Sequence, residues 1–580
     1  MRGRRFICIA HGWLAAALLA FSAAAQPAFD VPAERVAGAA EAKQAAASRL
    51  PSAVAPADRI TLDAIDVARL KQEDAQRPGI EKGPVRIGVL RPLPATHVGE
   101  GHATAGAWRV LADGHLAWSL DIRAEGAVGL RASLYDVRLP RGAELYAGTP
   151  EAPGAHGPFT WRDLHGYDFW TPGVRGDTLR LTLVAPDAET QRGITLSLGM
   201  LSHRYRDVVP QASGPDKQAG SCNLDVTCFP EWAGTASSVA RIAFMVGSAE
   251  SLCTGQLLAD LDPCSDIPFF YSANHCIGSQ AVADTMEFYW LYQTSSCGGT
   301  PPALNSVPVT IGGADYLGGS VGTAFSPTGN DFALFRLRSQ PPAGLTKVGW
   351  TDAVPDTGDD IVSIHHPRGD FKRISFGRIA VSTRAGDLFH QVVWENGTTE
   401  GGSSGSGLYL PGTQQLIGAL WGGTAACSRP FDPDWYGRLD VTLDLAPGIF
   451  DAPPLQVGFV APSLSANEGD GSVVVDIEAS NAPASDLTVS YSVTSESATA
   501  GEDFVAQSGT VQIDAGTRFA TITVDLLDDT ATEADETLRV ECNGAGCGTA
   551  AGALTLTIID DDPDSDGDGL SDADELSGVF

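Results

Sequence analysis

Basic residues are scarce in this 580-residue sequence, which has 38 Lys and Arg against 71 Asp and Glu and a formal net charge of −33. The shortage is greatest from Ala461 to Phe580, where 25 acidic residues stand against two arginines and no lysine. Such an acidic surface repels phosphate, which disfavours nucleic acid as a partner. Clustered carboxylates fit either a solvated surface or a calcium site, and composition alone leaves both interpretations open.

Long hydrophobic runs are absent beyond the first 25 residues. A membrane-spanning helix needs about 18 or more apolar residues in succession, and no later stretch approaches that length. The start, MRGRRFICIAHGWLAAALLAFSAAAQP, combines basic residues, an apolar stretch and small residues before Gln26. This pattern predicts a signal peptide over residues 1–25, cleaved after Ala25. We therefore expect a secreted bacterial protein, extracellular or periplasmic, without a membrane span.

Cysteine is missing between residues 26 and 221. Cys8 lies in the predicted signal peptide, and seven of the other nine cysteines fall between residues 222 and 427. Because export permits disulfides, we predict that this segment is covalently cross-linked. An odd number remains after signal cleavage, so at least one thiol is free or forms an intermolecular bond. The nine are Cys222, Cys228, Cys253, Cys264, Cys276, Cys297, Cys427, Cys542 and Cys547.

Alternating apolar and polar residues, interrupted by Gly and Pro, predict a mainly β protein of several domains. Residues 26–217 begin as a loose or partly helical leader, and a β-rich domain starts at about residue 83. Residues 218–452 form the cysteine-containing β domain. The proline-containing joint DAPPLQ precedes a third β domain at 456–562, and residues 563–580 are an acidic tail.

The stretch TTEGGSSGSG, residues 398–407, has two interpretations. Its composition is typical of a flexible linker, but its pattern also fits a turn that presents a catalytic serine. A serine nucleophile needs a base and a group that orients the base, and two upstream segments offer them: SANHC with His275 and NDFALFRL with Asp331. Each alone has an ordinary explanation, as a packed histidine or a turn aspartate. Their order within one cysteine-containing β domain favours the catalytic interpretation.

Residues 218–450 resemble the trypsin-like serine proteases, and among them the bacterial lysyl endopeptidases. The resemblance implies two packed antiparallel β-barrels with the active site between them. It covers most of the domain and rests on six segments in the family's order. These are GSCNLDVTC (220–228), SANHC (272–276), NDFALFRL (330–337), IHHPRGDFKRIS (364–375), EGGSSGSG (400–407) and WGGTAACS through DWYGRL (421–439).

The resemblance implies that Ser404 is the nucleophile, His275 the general base and then acid, and Asp331 the orienting carboxylate. It further implies that the backbone N–H groups of Gly402 and Ser404 form the oxyanion hole. Glycine suits this turn because it lacks a Cβ. Side-chain chemistry alone leaves three hydroxyls open, those of Ser403, Ser404 and Ser406.

Disulfides Cys222–Cys427, Cys228–Cys297 and Cys253–Cys276 are also implied by the resemblance. Cys264 has no counterpart in that set and is the candidate for the unpaired thiol. Cys542 and Cys547, five residues apart in ECNGAGCG, are expected to close a small local loop.

The substrate pocket differs from that of ordinary trypsins, in which an acid six residues before the nucleophile binds the substrate's cation. Here that position is Thr398. In the lysyl endopeptidases the acid precedes a Tyr-Gly-Arg, which implies Asp434 as the pocket acid and Trp421 as the pocket wall. Cleavage after arginine as well as lysine stays an alternative, since a carboxylate attracts both cations.

Activation is expected near Lys217, where the resemblance ends the propeptide. Ordinary trypsins have an aspartate before the nucleophile that receives the new amino terminus, and Ser403 replaces it here. Activation would instead consist of removing residues 26–217, which act as an inhibitor or a folding template.

Residues 456–562 resemble the Calx-beta domain, a β-sandwich that gathers carboxylates at one end in its calcium-binding members. The matching segments include ANEGDGSVVVDIEAS (466–480), LLDDTATEADETLRV (526–540) and IIDDD (558–562). Calcium takes six to eight oxygen ligands. The candidate ligands are Glu468, Asp503, Asp528, Asp529, Glu533, Asp560, Asp561 and Asp562.

The tail DSDGDGLSDADE has the spacing of an EF-hand calcium loop, although only five residues follow it. We predict a calcium site with a structural role here rather than a catalytic cofactor. Its ligands would be Asp564, Asp566, Asp568, Leu570 through its backbone carbonyl, Asp572 and Glu575.

Two functions from different classes remain at this point. The first is a secreted serine endopeptidase that cleaves after lysine, is made as a preproprotein and acts on protein and peptide substrates, with its own propeptide as a partner. The second is a catalytically inactive calcium-binding adhesin. Surface or matrix attachment through the Calx-beta domain is compatible with both. The intact His275, Asp331 and Ser404 favour the enzyme.

Overall fold

The computed structural model is built mainly of strands, with only short helices, which confirms the prediction of a mainly β protein. No helix in the described part of the chain is long and apolar enough to cross a membrane. The predicted signal peptide, Lys217 and the predicted EF-hand loop lie outside the described residues. The described residues are 29–38, 58–76, 82–164, 168–206, 219–262, 264–303, 306–323, 328–381, 387–429, 431–451, 454–529, 533–545 and 549–560.

The first described segment, residues 29–38, is called the N-terminal arm and contains β1 (Asp30–Val31) and β2 (Glu34–Arg35). Its strands pair with a distant part of the chain, Asp30 opposite Thr351 and Glu34 opposite Lys347. Val31 and Val36 are buried there. Because apolar side chains and strand pairing anchor the arm, it is not the loose leader that was expected. The helix Val67–Gln76 confirms the partly helical part of that expectation.

Residues 58–206 form the N-terminal sandwich, in which two sheets enclose a core of leucines, isoleucines and Trp118. Alternating side chains on strands such as β7 and β13 supply this core, as the apolar/polar alternation of the sequence predicts. The elements are β3 (Asp58–Leu62), α1 (Val67–Gln76), β4 (Val85–Gly99), β5 (His102–Ala103), β6 (Ala107–Val110), β7 (Leu116–Ala124), β8 (Gly129–Arg138), β9 (Glu144–Thr149), β10 (Ala152–Phe159), β11 (Phe169–Trp170), β12 (Val174–Arg175), β13 (Thr178–Ala185), α2 (Ala188–Gly193) and β14 (Thr195–Arg204).

Residues 219–451 form the double-barrel domain, as the resemblance to trypsin-like proteases implies. Its first barrel contains β16 to β22. In its second barrel β30 pairs with both β27 and β29, so the sheet closes on itself and leaves no open edge. The elements are β15 (Leu224–Asp225), α3 (Ala233–Ser238), β16 (Val239–Val246), β17 (Ala249–Leu258), β18 (Phe269–Ala273), α4 (Gln280–Ala283), β19 (Glu287–Tyr289), β20 (Val309–Thr310), β21 (Ala314–Gly319), β22 (Phe332–Leu337), β23 (Thr346–Lys347), β24 (Trp350–Thr351), β25 (Asp360–His365), β26 (Arg373–Val381), β27 (Phe389–Asn396), β28 (Gly407–Tyr409), β29 (Leu416–Gly423), β30 (Asp434–Arg438) and α5 (Leu439–Leu445).

One sheet runs through both of these units. Strand β4 of the N-terminal sandwich pairs antiparallel with β17 of the first barrel, with Val89 opposite Ala249 and Val85 opposite Leu252. Backbone hydrogen bonds therefore join the two units edge to edge. The start of β4 lies beside the barrel strand that leads to the active site.

Residues 454–560 form the C-terminal sandwich, whose core is rich in Val, Ile and Leu. It contacts the rest of the chain through an ion pair of 2.8 Å between Arg162 and Asp476 and a hydrogen bond from Asp266 N to Ala482 O. Its elements are β31 (Gln456–Phe459), β32 (Ser463–Asn467), β33 (Ser472–Ala479), β34 (Leu487–Ser495), β35 (Gln507–Ile513), β36 (Phe519–Asp525), β37 (Glu536–Ala545) and β38 (Thr549–Ile559).

Three disulfides cross-link the double-barrel domain: Cys222–Cys427, Cys228–Cys297 and Cys253–Cys276, the pairs that the resemblance implied. Two other cysteine predictions are wrong. Cys264 is disulfide-bonded and is not the unpaired thiol. Among the described cysteines Cys542 is free and buried, so the expected local loop with Cys547 does not form. The reason is the alternation of β37, which turns Cys542 into the apolar core of the C-terminal sandwich.

Candidate active site

The pairing of two neighbouring strands brings His275 and Asp331 together. His275 follows the end of β18 and Asp331 precedes the start of β22, and Ala273 lies opposite Phe332 in that antiparallel pair. Oδ2 of Asp331 lies 2.6 Å from Nδ1 of His275, and its Oδ1 accepts a hydrogen bond of 2.9 Å from the His275 backbone N–H. Two contacts with one carboxylate fix both the backbone and the ring of the histidine.

Asp331 is buried and adopts a positive φ of 59°. Burial raises the pKa of its carboxyl group, although the charge and hydrogen bonds of His275 act in the opposite direction. A carboxylate held against Nδ1 leaves Nε2 of His275 as the ring atom that can exchange a proton with a substrate or a nucleophile.

Ser404 lies in the turn before β28, and β17 supports that turn. The Thr254 N–H donates to the Ser404 carbonyl and the Thr254 Oγ1 donates to the Gly402 carbonyl, both at 2.9 Å. Gly402 has a φ of +85°, and a Cβ there would lie 3.2 Å from the Gly369 nitrogen. Glycine is therefore required at this position both for conformation and for space.

The surroundings of the three hydroxyls distinguish among the serines that side-chain chemistry left open. Ser403 Oγ lies 2.8 Å from Nδ1 of the buried His365 and accepts from the Glu400 N–H. Ser406 Oγ accepts from Ser363. Both are committed to internal contacts, whereas Ser404 Oγ donates to a backbone carbonyl that belongs to another unit of the chain.

His365, although it contacts Ser403, is not a candidate base in place of His275. Burial, aided by nearby positive charges, lowers its pKa to about 3, so it stays neutral at ordinary pH. Its Nε2 lies 3.1 Å from Ser375 Oγ, which in turn donates to the Thr398 carbonyl. The neutral ring therefore links Ser403 to Ser375 on β26.

The carboxylate of Asp434, at the start of β30, is fully buried and contacts the segment that carries Ser404. Its Oδ2 accepts hydrogen bonds of 2.7 Å from Trp394 Nε1 and from Thr399 Oγ1. Its Oδ1 is paired with the ammonium group of Lys82, a residue of the N-terminal sandwich. Gly423 lies opposite Asp434, and a Cβ there would come within 2.1 Å of Oδ1. The absence of a side chain at Gly423 therefore leaves room for the Asp434 carboxylate.

The other two predicted pocket residues, Thr398 and Trp421, make no described hydrogen bond to Asp434. Thr398 is fully buried, and its Oγ1 has no hydrogen-bond partner among the described residues. Its neighbour Thr399 binds Asp434 instead. Trp421 is buried on β29, and its ring lies 6.1 Å from that of Phe389 and 6.4 Å from that of Trp435.

Sequence reasoning missed Lys82, Trp394, Thr399 and Gly423. The position of Thr399, next to the residue that ordinary trypsins use, was a signal for one of them. No sequence pattern indicated Lys82, because it is 352 residues from Asp434 in the sequence.

Glu400, in the nucleophile turn, is also absent from the predicted set. It is buried and accepts hydrogen bonds of 2.7 Å from the Gly220 N–H and 2.9 Å from Asn223 Nδ2. It is also paired with Arg368 at 2.9 Å. A carboxylate thus binds the first described residues of the double-barrel domain directly to the nucleophile turn.

A second cluster of acidic residues lies at one end of the C-terminal sandwich. Carboxylate oxygens of Asp503, Glu533 and Glu536 lie within 4.8 Å of one another. The hydrogen bond with Asp503, then burial and neighbouring carboxylates including Glu468, raise the pKa of Glu536 to about 7. Burial and the charges of Asp503, Asp529 and Asp560 raise the pKa of Glu533.

Of the predicted calcium ligands, this cluster contains Asp503 and Glu533, with Glu468, Asp529 and Asp560 as charged neighbours. Asp528 is exposed and does not belong to the three-residue group. Glu536 was missed, although it lies three residues after Glu533. The other predicted ligands, Asp561, Asp562, Asp564, Asp566, Asp568, Leu570, Asp572 and Glu575, lie outside the described residues.

Comparison with known families gives three matches along the chain. The model of the lysyl endopeptidase N-terminal domain matches residues 59–205, and that of the lysyl endopeptidase C-terminal domain matches residues 217–437. The Calx-beta domain model matches residues 451–562.

A curated relative, the lysyl endopeptidase of Pseudomonas aeruginosa, is 33% identical over 383 residues, which cover 60% of this chain and 79% of the relative. Among solved structures, the active form of the Rv3671c protease from M. tuberculosis is 17% identical, covers 42% of this chain and 94% of its own, and has a TM-score of 0.26. The apo form of the Calx CBD1 domain is 23% identical, covers 19% of this chain and 100% of its own, and has a TM-score of 0.18.

Proposed function

Because the chain belongs to the lysyl endopeptidase family and is a serine endopeptidase, we propose that it hydrolyses peptide bonds on the carboxyl side of lysine. The proposed catalytic residues are Ser404, His275 and Asp331. The observation that carries the specificity is the ion pair between the buried Asp434 and a lysine side chain beside the nucleophile.

The proposed reaction follows from the roles of the three side chains. Ser404 Oγ attacks the carbonyl carbon while Nε2 of His275 takes its proton, and the oxyanion is bound by the N–H groups of Gly402 and Ser404. His275 then gives the proton to the leaving amine, and water, deprotonated by the same ring, hydrolyses the acyl-enzyme. Asp331 holds the ring in the required tautomer and stabilises its charged form. Each oxyanion-hole donor contributes roughly 3 kcal/mol to transition-state stabilisation.

The geometry of the pocket favours lysine over arginine. Arginine binds a carboxylate best through two parallel hydrogen bonds, one to each oxygen. Here Oδ2 of Asp434 is already occupied by Trp394 and Thr399, so Oδ1 is the oxygen left for a substrate cation. A compact ammonium group satisfies one oxygen, whereas a planar guanidinium would lose half of its usual contact.

Matched peptides that differ only in the residue before the scissile bond test this proposal. The activated enzyme should cleave the lysine peptide with a kcat/KM at least 100-fold above that of the arginine peptide, and it should not cleave the norleucine peptide measurably. Ser404→Ala should abolish cleavage of all three. Equal rates on lysine and arginine would retain the endopeptidase and remove the narrow specificity.

We further propose that the chain is secreted as a preproprotein, with residues 1–25 as signal peptide and residues 26–217 as propeptide. The three disulfides support an oxidising compartment. The sheet shared by β4 and β17 supports a propeptide that binds tightly to the protease before its removal. Amino-terminal sequencing of the mature secreted enzyme tests this, and the expected first residue is Gln218.

For the C-terminal sandwich we propose calcium binding with a structural role. The residues fit the ion: Asp503, Glu533 and Glu536 offer carboxylate oxygens at close range, and Oε2 of Glu536 is buried without a hydrogen-bond donor among the described residues. The hydrogen bond with Asp503, burial and repulsion between carboxylates raise the pKa of Glu536, and bound calcium would neutralise that repulsion. No catalytic step requires this ion.

A further inference from the structure

Lys82 occupies the proposed lysine pocket of its own chain. Its side chain is fully buried, and its ammonium group is paired with Oδ1 of Asp434. At the other end of the same residue, the backbone carbonyl accepts a hydrogen bond from Ser404 Oγ. One residue therefore contacts both the pocket acid and the nucleophile, as the residue before a scissile bond must do.

The chain on the carboxyl side of Lys82 is also fixed against the nucleophile turn. The Gly402 N–H donates to the Gly83 carbonyl at 3.2 Å. Two residues later Val85 pairs with Leu252 on β17, the strand whose Thr254 supports the turn of Ser404. Strand β17 thus contacts both the segment after Lys82 and the turn of Ser404.

A buried charge cluster holds the two units together at this junction. Arg204 of the N-terminal sandwich donates to Glu250 at 2.7 Å and to Glu287 at 2.9 Å, and Arg131 lies 3.4 Å from Glu250. All four side chains are buried. Because separating buried partners leaves uncompensated charges, Lys82 is unable to leave the pocket simply by moving the whole sandwich away.

We propose that Lys82–Gly83 is an internal substrate of this protease: Lys82 blocks the pocket of the proenzyme, and hydrolysis of the Lys82–Gly83 bond in the same molecule is the first step of activation. This inference rests on the proposed cleavage after lysine. It adds a processing site 135 residues before the expected cleavage at Lys217.

The step is an ordinary hydrolysis. Ser404 Oγ bonds to the Lys82 carbonyl carbon, the bond to the Gly83 nitrogen breaks, and that nitrogen leaves as a free amine with the proton carried by His275. Water then cleaves the acyl bond, which restores Ser404 and leaves Lys82 as a carboxyl terminus. Freed from Gly83, Lys82 is no longer tethered to β4, and the pocket opens.

The hydrogen bond of Gly402 predicts that this bond is cut slowly. The Gly402 N–H is one of the two oxyanion-hole donors, and it is engaged by the carbonyl of Gly83 instead of that of Lys82. This donor must transfer to the Lys82 carbonyl before the oxyanion is stabilised. Pro84 limits that adjustment, because its ring fixes φ. Lys82 therefore acts first as a block and then as a substrate.

The full-length protein, followed by intact mass and amino-terminal sequencing during activation, tests the order of events. A new amino terminus at Gly83 should appear before any other internal one, at a rate independent of protein concentration. In parallel, a lysyl phosphonate that reacts with Ser404 reports whether the pocket is open. Lys82→Gln should lack the Gly83 terminus and react with the phosphonate at least tenfold faster than the intact proenzyme.

Lys71→Ala is the matched control, since Lys71 is a partly buried lysine of the same unit outside the pocket. It should process and react like the unaltered protein. Gly83→Pro keeps Lys82 in the pocket but blocks hydrolysis, so this variant should remain unprocessed at 83 and react slowly, even where Lys82→Gln folds poorly.

Activation without a Gly83 terminus, equal phosphonate reactivity of Lys82→Gln and Lys71→Ala, or fast reaction of Gly83→Pro would each overturn this inference. These results leave the proposed function intact as long as the mature enzyme reacts with the lysyl phosphonate. If the mature enzyme also fails to react, the lysine specificity itself is wrong.

Discussion

The proposed specificity for lysine depends on a few atoms around Asp434. One carboxylate oxygen is used by Trp394 and Thr399, and the other is left for a cation. Gly423 keeps the space above that oxygen free. In the proposed function, this carboxylate prefers lysine because it offers a substrate cation one oxygen atom and not two.

Replacing that acceptor should weaken catalysis strongly. Asp434→Asn should lower kcat/KM on a lysine peptide by about 10²- to 10³-fold, because truncating one partner of a buried charge pair costs roughly 2–5 kcal/mol. Steady-state kinetics of the activated enzyme measure the effect. Asp432→Asn, two residues earlier and partly exposed, is the control and should change kcat/KM by less than twofold. An Asp434→Asn enzyme that keeps its lysine preference would exclude Asp434 as the pocket acid.

The contact between Asp331 and His275 makes a separate prediction. Asp331→Asn should reduce kcat by about 10⁴-fold at neutral pH, because an amide favours the wrong tautomer of the ring. Thermal unfolding should show that the variant stays folded. Asp284→Asn, which replaces an ion-pair partner of Arg338 away from the site, should leave kcat unchanged. A loss below tenfold in Asp331→Asn would argue against its orienting role.

Local motifs made much of this site accessible from the sequence. SANHC, NDFALFRL and EGGSSGSG each carry one reactive side chain together with the residues that shape its turn. Contacts between distant segments were not accessible: the sequence separation between Lys82 and Ser404 is 322, and no local pattern joins them. The predicted disulfide of Cys542 was wrong for a related reason, since whether this thiol is buried depends on which face of β37 packs against the core.

At the scale of elements, β17 contacts both the proposed propeptide and the turn that carries Ser404. Its first four residues pair with β4 and include Glu250, and the next two, Cys253 and Thr254, lie beside the turn of Ser404. The disulfide from Cys253 to Cys276 links it to the residue after His275. Movement of β4 therefore bears directly on the position of the catalytic groups.

The charge cluster between β14 and the first barrel should stabilise the junction between the N-terminal sandwich and the double-barrel domain. Glu287→Gln, in a Ser404→Ala background that prevents processing, should destabilise the junction by about 3–5 kcal/mol. Calorimetry of the full-length protein measures this. Glu231→Gln, an exposed substitution in the same domain, is the control. Equal transition temperatures for the two variants would show that the cluster does not stabilise the junction.

The same cluster predicts how stability depends on pH. Burial acts to raise the pKa of Glu287, but the charges of Arg131 and Arg204 outweigh it and lower the pKa to about 2. A carboxyl group with a lowered folded-state pKa stabilises the fold above its unfolded pKa, near 4.5, and this contribution is lost as the pH falls towards 2. The junction should therefore weaken between pH 4.5 and 2, and less steeply in Glu287→Gln.

At the scale of the whole molecule, the C-terminal sandwich adds a unit whose stability should depend on calcium. The pKa of Glu536 is raised to about 7, so its contribution to stability without calcium is present at low pH and is lost as the pH rises through 7. In a chelator, the unfolding temperature of this unit should fall between pH 5 and 7.5. Calcium at 100 times its dissociation constant should restore about 2.7 kcal/mol at pH 7.5.

Glu536→Gln should remove most of the pH dependence in chelator and most of the stabilisation by calcium, as measured by calorimetry of the full-length protein. Glu541→Gln lies on the same strand and is paired with Arg539, so it should retain the response to calcium. A wild-type transition that calcium does not move at pH 7.5 would contradict the proposed site.

The cleavage map of a denatured protein tests the central claim most directly. Activated enzyme and the Ser404→Ala variant are incubated with the same unfolded substrate, and every new terminus is identified by mass spectrometry. We predict that every bond cut by the active enzyme follows a lysine and that Ser404→Ala makes no cut. Frequent cuts after arginine or neutral residues would contradict the single-acceptor pocket at Asp434, and unchanged cutting by Ser404→Ala would contradict the assigned nucleophile.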